Sequence, residues 1–258
     1  MVNSNNNVKR SQERLLYMAK IIARIMERNH IPYSMVYGSF LGAVRHKGFI
    51  PWDDDFDFCI FDEYYDDVIR SMKEELPDDL FLEYDETEPL YFHAWPHVKD
   101  LRTETACSKY PQDNAYAHKG LSVDLYRFKR VRLVDVTDEV IFQGHQYMER
   151  RRSKGLISDS DYNRYAARFE AMHSWFKNMY PNETEDSVKR EVYANVYTSL
   201  FSVDVDDMFP LEKYKFEDTE FYGPNKADKV LKHWYGDYMK LPPEEKRVSH
   251  FDFVKFLE

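Results

Sequence analysis

Tyr37-Gly38-Ser39-Phe40-Leu41-Gly42-Ala43-Val44-Arg45-His46-Lys47-Gly48-Phe49-Ile50-Pro51-Trp52-Asp53-Asp54-Asp55-Phe56-Asp57 is the stretch on which the fold turns. At its end, Phe56, Phe58 and Ile60 alternate with Asp55, Asp57 and Cys59, the period of a strand with one apolar face. Two carboxylates separated by one apolar residue point to the same side. Asp55 and Asp57 can therefore reach one divalent ion while Phe56 and Phe58 anchor the strand. Without a cation such a pair is costly, because like charges force one group to take up a proton. Acidic runs are usually solvated turns, and the interleaved rings argue against that here.

Upstream, Tyr33 to Tyr37 reads as a short strand closed by Gly38, and Ser39 can cap a short helix to about Arg45. The Gly38-Ser39 turn then leaves backbone N–H groups at a positive helix end for a phosphate. Arg45 and Lys47 are the nearest cations for neutralising that phosphate, with an exposed basic turn as the competing reading. Downstream, Val123-Asp124-Leu125 sets one acid between branched apolar residues in a strand expected over residues 121–128. Asp124 would complete a three-carboxylate site for Mg2+ or Mn2+ with Asp55 and Asp57. The alternative is a structural ion pair to Arg127 or Arg130.

Around this centre the pattern is α+β. Leu15, Met18, Ala19, Ile22, Ile25 and Met26 predict an amphipathic helix over residues 11–28, and a second helix is expected over 63–75. Strands are expected over 80–84 and 97–102. From Thr137 to Phe201 the spacing turns helical, with one stripe at Tyr162, Tyr165, Phe169, Met172, Phe176 and Met179 and another at Val188, Val192, Val196 and Leu200. A hairpin over 213–222 and a helix over 224–235, stopped by Gly236, follow. This divides the chain softly into a core of residues 1–136 and a largely helical region 137–258, which can also be one domain.

The 258 residues carry 36 Lys+Arg against 46 Asp+Glu, a net charge of -10 that opposes a nucleic-acid partner. Cys59 and Cys107 are too few for a disulfide framework. The polar start and the lack of a run of about 20 apolar residues predict no integral membrane segment and a cytoplasmic protein, with a place at the inner face of the membrane left open.

The order apolar-Gly-Ser, Asp-apolar-Asp, then apolar-Asp-apolar resembles the nucleotidyltransferase superfold, a mixed sheet flanked by helices. The whole stretch from Tyr37 to Asp57 resembles the signature of the LicD family, phosphocholine transferases related to fukutin. Tyr235-Gly236-Asp237-Tyr238-Met239-Lys240-Leu241-Pro242-Pro243 resembles that family's later element. The resemblance implies attack by a hydroxyl of a cell-surface glycan precursor, free or lipid-linked, on the choline-side phosphorus of CDP-choline, with CMP leaving. It places Asp53, Asp55 and Asp57 in the family's acidic motif and Asp124 at its later acid. A carboxylate not fully engaged by metal, Asp124 or Asp53, can then accept the hydroxyl's proton. After Asp124 the family often continues Ile-Phe-Pro-Leu, whereas this chain has Leu125-Tyr126-Arg127-Phe128. A quaternary ammonium is held by aromatic faces; Trp52, Tyr91, Trp95 and Tyr116 are available, each more often a core or rim residue, and Trp52 within the motif is the candidate. Fukutin-like relatives move ribitol phosphate, so transfer of ribitol or glycerol phosphate, a true nucleotidyl transfer, and a non-catalytic glycan-binding module are the other readings.

Overall fold

The computed structural model describes residues 2–108, 114–179, 189–197 and 201–257, and its architecture is α+β as expected. Five strands lie side by side in the order β1 (Tyr33–Met35), β2 (Phe56–Phe61), β6 (Ser122–Arg132), β4 (His97–Asp100) and β3 (Leu80–Glu83). β2 and β6 run parallel, and the other neighbours on this path are antiparallel. A parallel pair needs a crossover. It begins here with helix α3 (Tyr65–Glu75), directly after β2.

Helix α1 (Val2–Arg28) buries the expected stripe from Leu15 to Met26, each such side chain stabilising the fold by about 1.5–3 kcal/mol relative to exposure. Gln12 on the same helix donates to the carbonyls of Ile50 (3.1 Å) and Asp53 (2.8 Å), which pins the acidic loop. Phe56 and Phe58 of β2 pack into a ring cluster with Phe49, Phe216 and Phe221. Phe216 and Phe221 come from the expected hairpin, β9 (Glu212–Phe216) and β10 (Thr219–Gly223). Glu217 at its turn donates its N–H to the Lys47 carbonyl (2.8 Å) and accepts from the Phe49 N–H (3.1 Å).

Two local expectations change. β2 is buried along its whole length, not on one face, because the face of Asp57 continues through Cys59 to Phe61, which packs on Tyr193 and Phe209. Helix α2 spans Tyr37–His46, so Gly38 and Ser39 lie inside its first turn with Val36 as the N-cap residue. The left-handed residue there is Tyr37 (φ 49), not Gly38. A Cβ on Gly38 would stand 2.9 Å from an Asp53 side-chain oxygen, so any larger residue there must displace that carboxylate.

The helices expected after Thr137 are α4 (Val136–Ser153) and α5 (Asp159–Met179). On α5, the side chains of Phe169, Met172, Phe176 and Met179 lie outside the described residues. The second helical stripe is corrected. Val188 and Leu200 fall outside the described residues, while Val192 lies in β7 (Glu191–Ala194), which pairs with β6 and with β8 (Ser202–Asp204). A spacing of four is a multiple of the strand period as well as close to the helical one, and β-branched valines favour the strand. The last helix, Ala227–Tyr235, stops at Gly236 (φ 65) as expected. β11 (Phe253–Phe256) pairs with β5 (Thr103–Ala106), and no strand was expected at either place.

Candidate active site

The sheet register places one titratable residue from each of four strands in a row. Asp57 on β2 lies opposite Asp124 on β6, Asp124 opposite His97 on β4, and His97 opposite Glu83 on β3. Side chains at paired positions project from the same face of a sheet. His97 stands between its neighbours, with Nδ1 3.3 Å from Glu83 Oε2 and Nε2 3.5 Å from Asp124 Oδ1. Two residues along β4, Lys99 shares that face and lies 3.8 Å from Glu83 Oε2.

Asp53, Asp54 and Asp55 enter from the loop before β2. Asp55 precedes the strand, and its Oδ1 is buried with no hydrogen-bond partner. Burial raises the Asp57 carboxyl well above its ordinary range, and the charges of Asp55, Asp124 and Asp53 add to the effect. Burial, then Asp55, does the same to Asp53, while burial also raises Asp55. These acids crowd one another, which only a cation or protons can relieve. Among the described residues, one trio of ligand atoms lies within 4.8 Å of one another, from Asp53, Asp55 and His250. The buried, unpartnered Asp55 oxygen suits a hard divalent ion.

His250 was not foreseen. Its Nδ1 lies 3.1 Å from Asp54, 3.4 Å from Asp55 and 3.8 Å from Asp53. The hydrogen bond to Asp54, followed by the attraction of Asp55 and Asp53, pushes its pKa up to about 9. Asp54 itself is held below the carboxylate range by hydrogen bonds from His250, Ser249 and Phe251, which together outweigh its burial.

Ser39 accepts the Asp57 N–H (2.9 Å), so its hydroxyl fixes the start of β2. The α2 N-terminus abuts Asp53, where its positive end favours the charged carboxylate. Arg45 donates to the Tyr238 carbonyl (2.7 Å) and joins α2 to the Tyr235–Pro243 element, and burial lowers its pKa. We expect Arg45→Ala to cost about 1.5–3 kcal/mol, the range for hydrogen bonds from charged groups, in urea unfolding. An unchanged midpoint would deny that link. Lys47 is exposed and caps α2 in the left-handed region. Trp52 packs against the core with the Arg247 guanidinium over its ring at 5.4 Å. Arg45, Lys47 and Trp52 do not line the cavity described next.

A cavity of about 490 Å3 opens beside the acids, lined by Asp55, Asp124 and His250. Trp95, stacked on Tyr126 (4.9 Å, 29°), and Tyr147 line it as well. Lys99 and Lys119 add positive charge to that of His250. The volume suits a small-molecule site, which is commonly 300–1,000 Å3.

Fold and site thus define an α+β protein with an acid-rimmed, ring-walled cavity. The sequence model described as LicD/FKTN/FKRP, nucleotidyltransferase domain, matches residues 30–154. The chain is 25% identical over 241 residues to the lipopolysaccharide cholinephosphotransferase LicD of Haemophilus influenzae, covering 88% of this chain and 89% of that protein. Uncharacterised proteins of Rickettsia typhi (25% identical, 52% of this chain and 46% of theirs) and Rickettsia prowazekii (26%, 52% and 54%) also match. The sequence-model match and the Haemophilus match both support assignment to the LicD family. No described helix is long and apolar enough to cross a membrane.

Proposed function

We propose that this chain transfers phosphocholine from CDP-choline to a hydroxyl of a cell-surface glycan precursor, releasing CMP. The observation that carries this reading is the cavity that sets carboxylates, lysines and stacked rings around one space. The similarity to a lipopolysaccharide cholinephosphotransferase supports the same group and acceptor class.

In this reading Asp55 and Asp57, with Asp53 and Asp124 beside them, would hold Mg2+ or Mn2+, and the buried unpartnered oxygen of Asp55 suits that use. Bound there, the ion would neutralise charge on the diphosphate and on departing CMP. Lys99 and Lys119 would attract the same oxygens from the cavity wall. A trimethylammonium group has no proton to donate and is held by ring faces, which Trp95, Tyr126 and Tyr147 offer. Asp124, held by the Glu83–His97 pair on β3 and β4, would accept the acceptor hydroxyl's proton on an oxygen that the ion does not engage.

Trp95→Leu keeps an apolar side chain and removes the ring. It is expected to raise the KM for CDP-choline about tenfold, the loss of an interaction of about 1.4 kcal/mol, and to leave the KM for CDP-glycerol unchanged. Equal changes for both donors, or none, would contradict a ring-bound ammonium in this cavity.

A further inference from the structure

Asp54 stands in the middle of the acidic run, and its carboxylate meets the same His250 ring nitrogen as Asp53 and Asp55 but carries further contacts of its own. It is 1% exposed, so its charge is held almost wholly by protein groups. Those groups come from one segment. The His250 N–H donates to Asp54 Oδ1 at 2.7 Å and the Phe251 N–H to Oδ2 at 3.3 Å. The Ser249 hydroxyl donates to Oδ2 and the His250 ring nitrogen meets Oδ1 at 3.1 Å. Beyond these contacts the segment runs on as β11 along β5, and Asp252 accepts the Ser108 N–H (2.7 Å).

The anchored segment is also a wall of the cavity, through His250 and Phe251. The family match ends at residue 154, well before it. We propose that Asp54 is a positioning residue that latches the segment Ser249–Phe256 onto the acidic loop and so completes the substrate cavity. A carboxylate suits this task because its two oxygens accept several donors at once, including paired backbone N–H groups. Removing it frees two amide donors and leaves the Ser249 hydroxyl only the Phe251 carbonyl, within its own segment, while Asp55, Asp57 and Asp124 keep their places on loop, β2 and β6.

The test has two arms, and the kinetic arm rests on the transferase reading. In the first, hydrogen exchange is compared between wild type and Asp54→Ala without any substrate. Amides of residues 249–256 are expected to exchange at least tenfold faster in the variant, with β2 and β6 unchanged. In the second, Asp54→Ala raises the KM for CDP-choline at least tenfold with a smaller fall in kcat, and Asp54→Asn, which keeps one acceptor oxygen, recovers at least half of that KM effect on a logarithmic scale. Asp57→Asn serves as the contrast, with kcat lost and residues 249–256 protected as in wild type. Unchanged exchange in Asp54→Ala overturns the latch whatever the activity. Released amides with an unchanged KM overturn its role in completing the cavity. If wild type does not consume CDP-choline at all, the transferase reading fails on its own, and the exchange arm still decides whether Asp54 holds the segment.

Discussion

Asp57→Asn is expected to lower turnover by at least about 10²–10³-fold, the scale for removing one preorganised electrostatic group, and to make the metal-free protein more stable. Both effects follow from one environment. Asp57 is 7% exposed, anchored by the Ser39 hydroxyl on its own N–H, and surrounded by Asp55, Asp124 and Asp53. Asparagine keeps the shape and removes the charge that holds a cation. Because the Asp57 pKa is raised in the folded state, its contribution favours the fold fully below the unfolded value of about 3.9 and is lost as pH rises through the raised folded value. At neutral pH the metal-free wild type therefore bears a cost, as a crowded charge or as a bound proton, that the variant lacks. A gain of about 0.5–2 kcal/mol is expected at pH 7, shrinking toward pH 4, by urea unfolding with chelator present. Retained turnover, or a stability loss at pH 7, would contradict this account of Asp57.

Mg2+ is expected to raise the unfolding free energy of wild type by about 2.7 kcal/mol at a hundred times its dissociation constant, and chelation is expected to stop turnover. The physical source is relief of crowding among Asp53, Asp55 and Asp57, all of which burial has pushed toward the protonated form. Asp55→Asn should remove most of the shift, since it deletes the acid with a buried, unpartnered oxygen. The pH dependence has a fixed sign: protons compete for the same oxygens, so the shift should weaken as pH falls. Melting curves with and without Mg2+ at pH 6 and 8 check it. Turnover that survives excess chelator would remove the metal from the mechanism.

Alternation alone exposed Asp55, Asp57 and the apolar flanks of Asp124, because these are local properties of single strands. The row Asp57, Asp124, His97, Glu83 was not legible, since inter-strand register is fixed by packing between segments far apart in sequence. Lys99 shares the face of His97 two residues on, a signal that becomes useful only once β4 is known to lie beside β6. His250 lies 196 residues beyond Asp54 in a segment with no periodic pattern, and nothing local ties it to the acids. Arg45 and Trp52 were chosen for nearness in sequence. In space a backbone carbonyl and the Arg247 guanidinium take up their polar and ring faces. The valines around β7 misled because a spacing of four fits both periods.

The identity of the transferred group is the central claim, and a direct competition decides it. CDP-choline, CDP-ribitol and CDP-glycerol at equal concentration are incubated with the protein, Mg2+ and a lipopolysaccharide-derived glycan acceptor, and the modified glycan is weighed by mass spectrometry. The ring-walled cavity predicts that phosphocholine is the predominant adduct, with CMP released in equal amount. Predominant ribitol phosphate or glycerol phosphate on the glycan would contradict it.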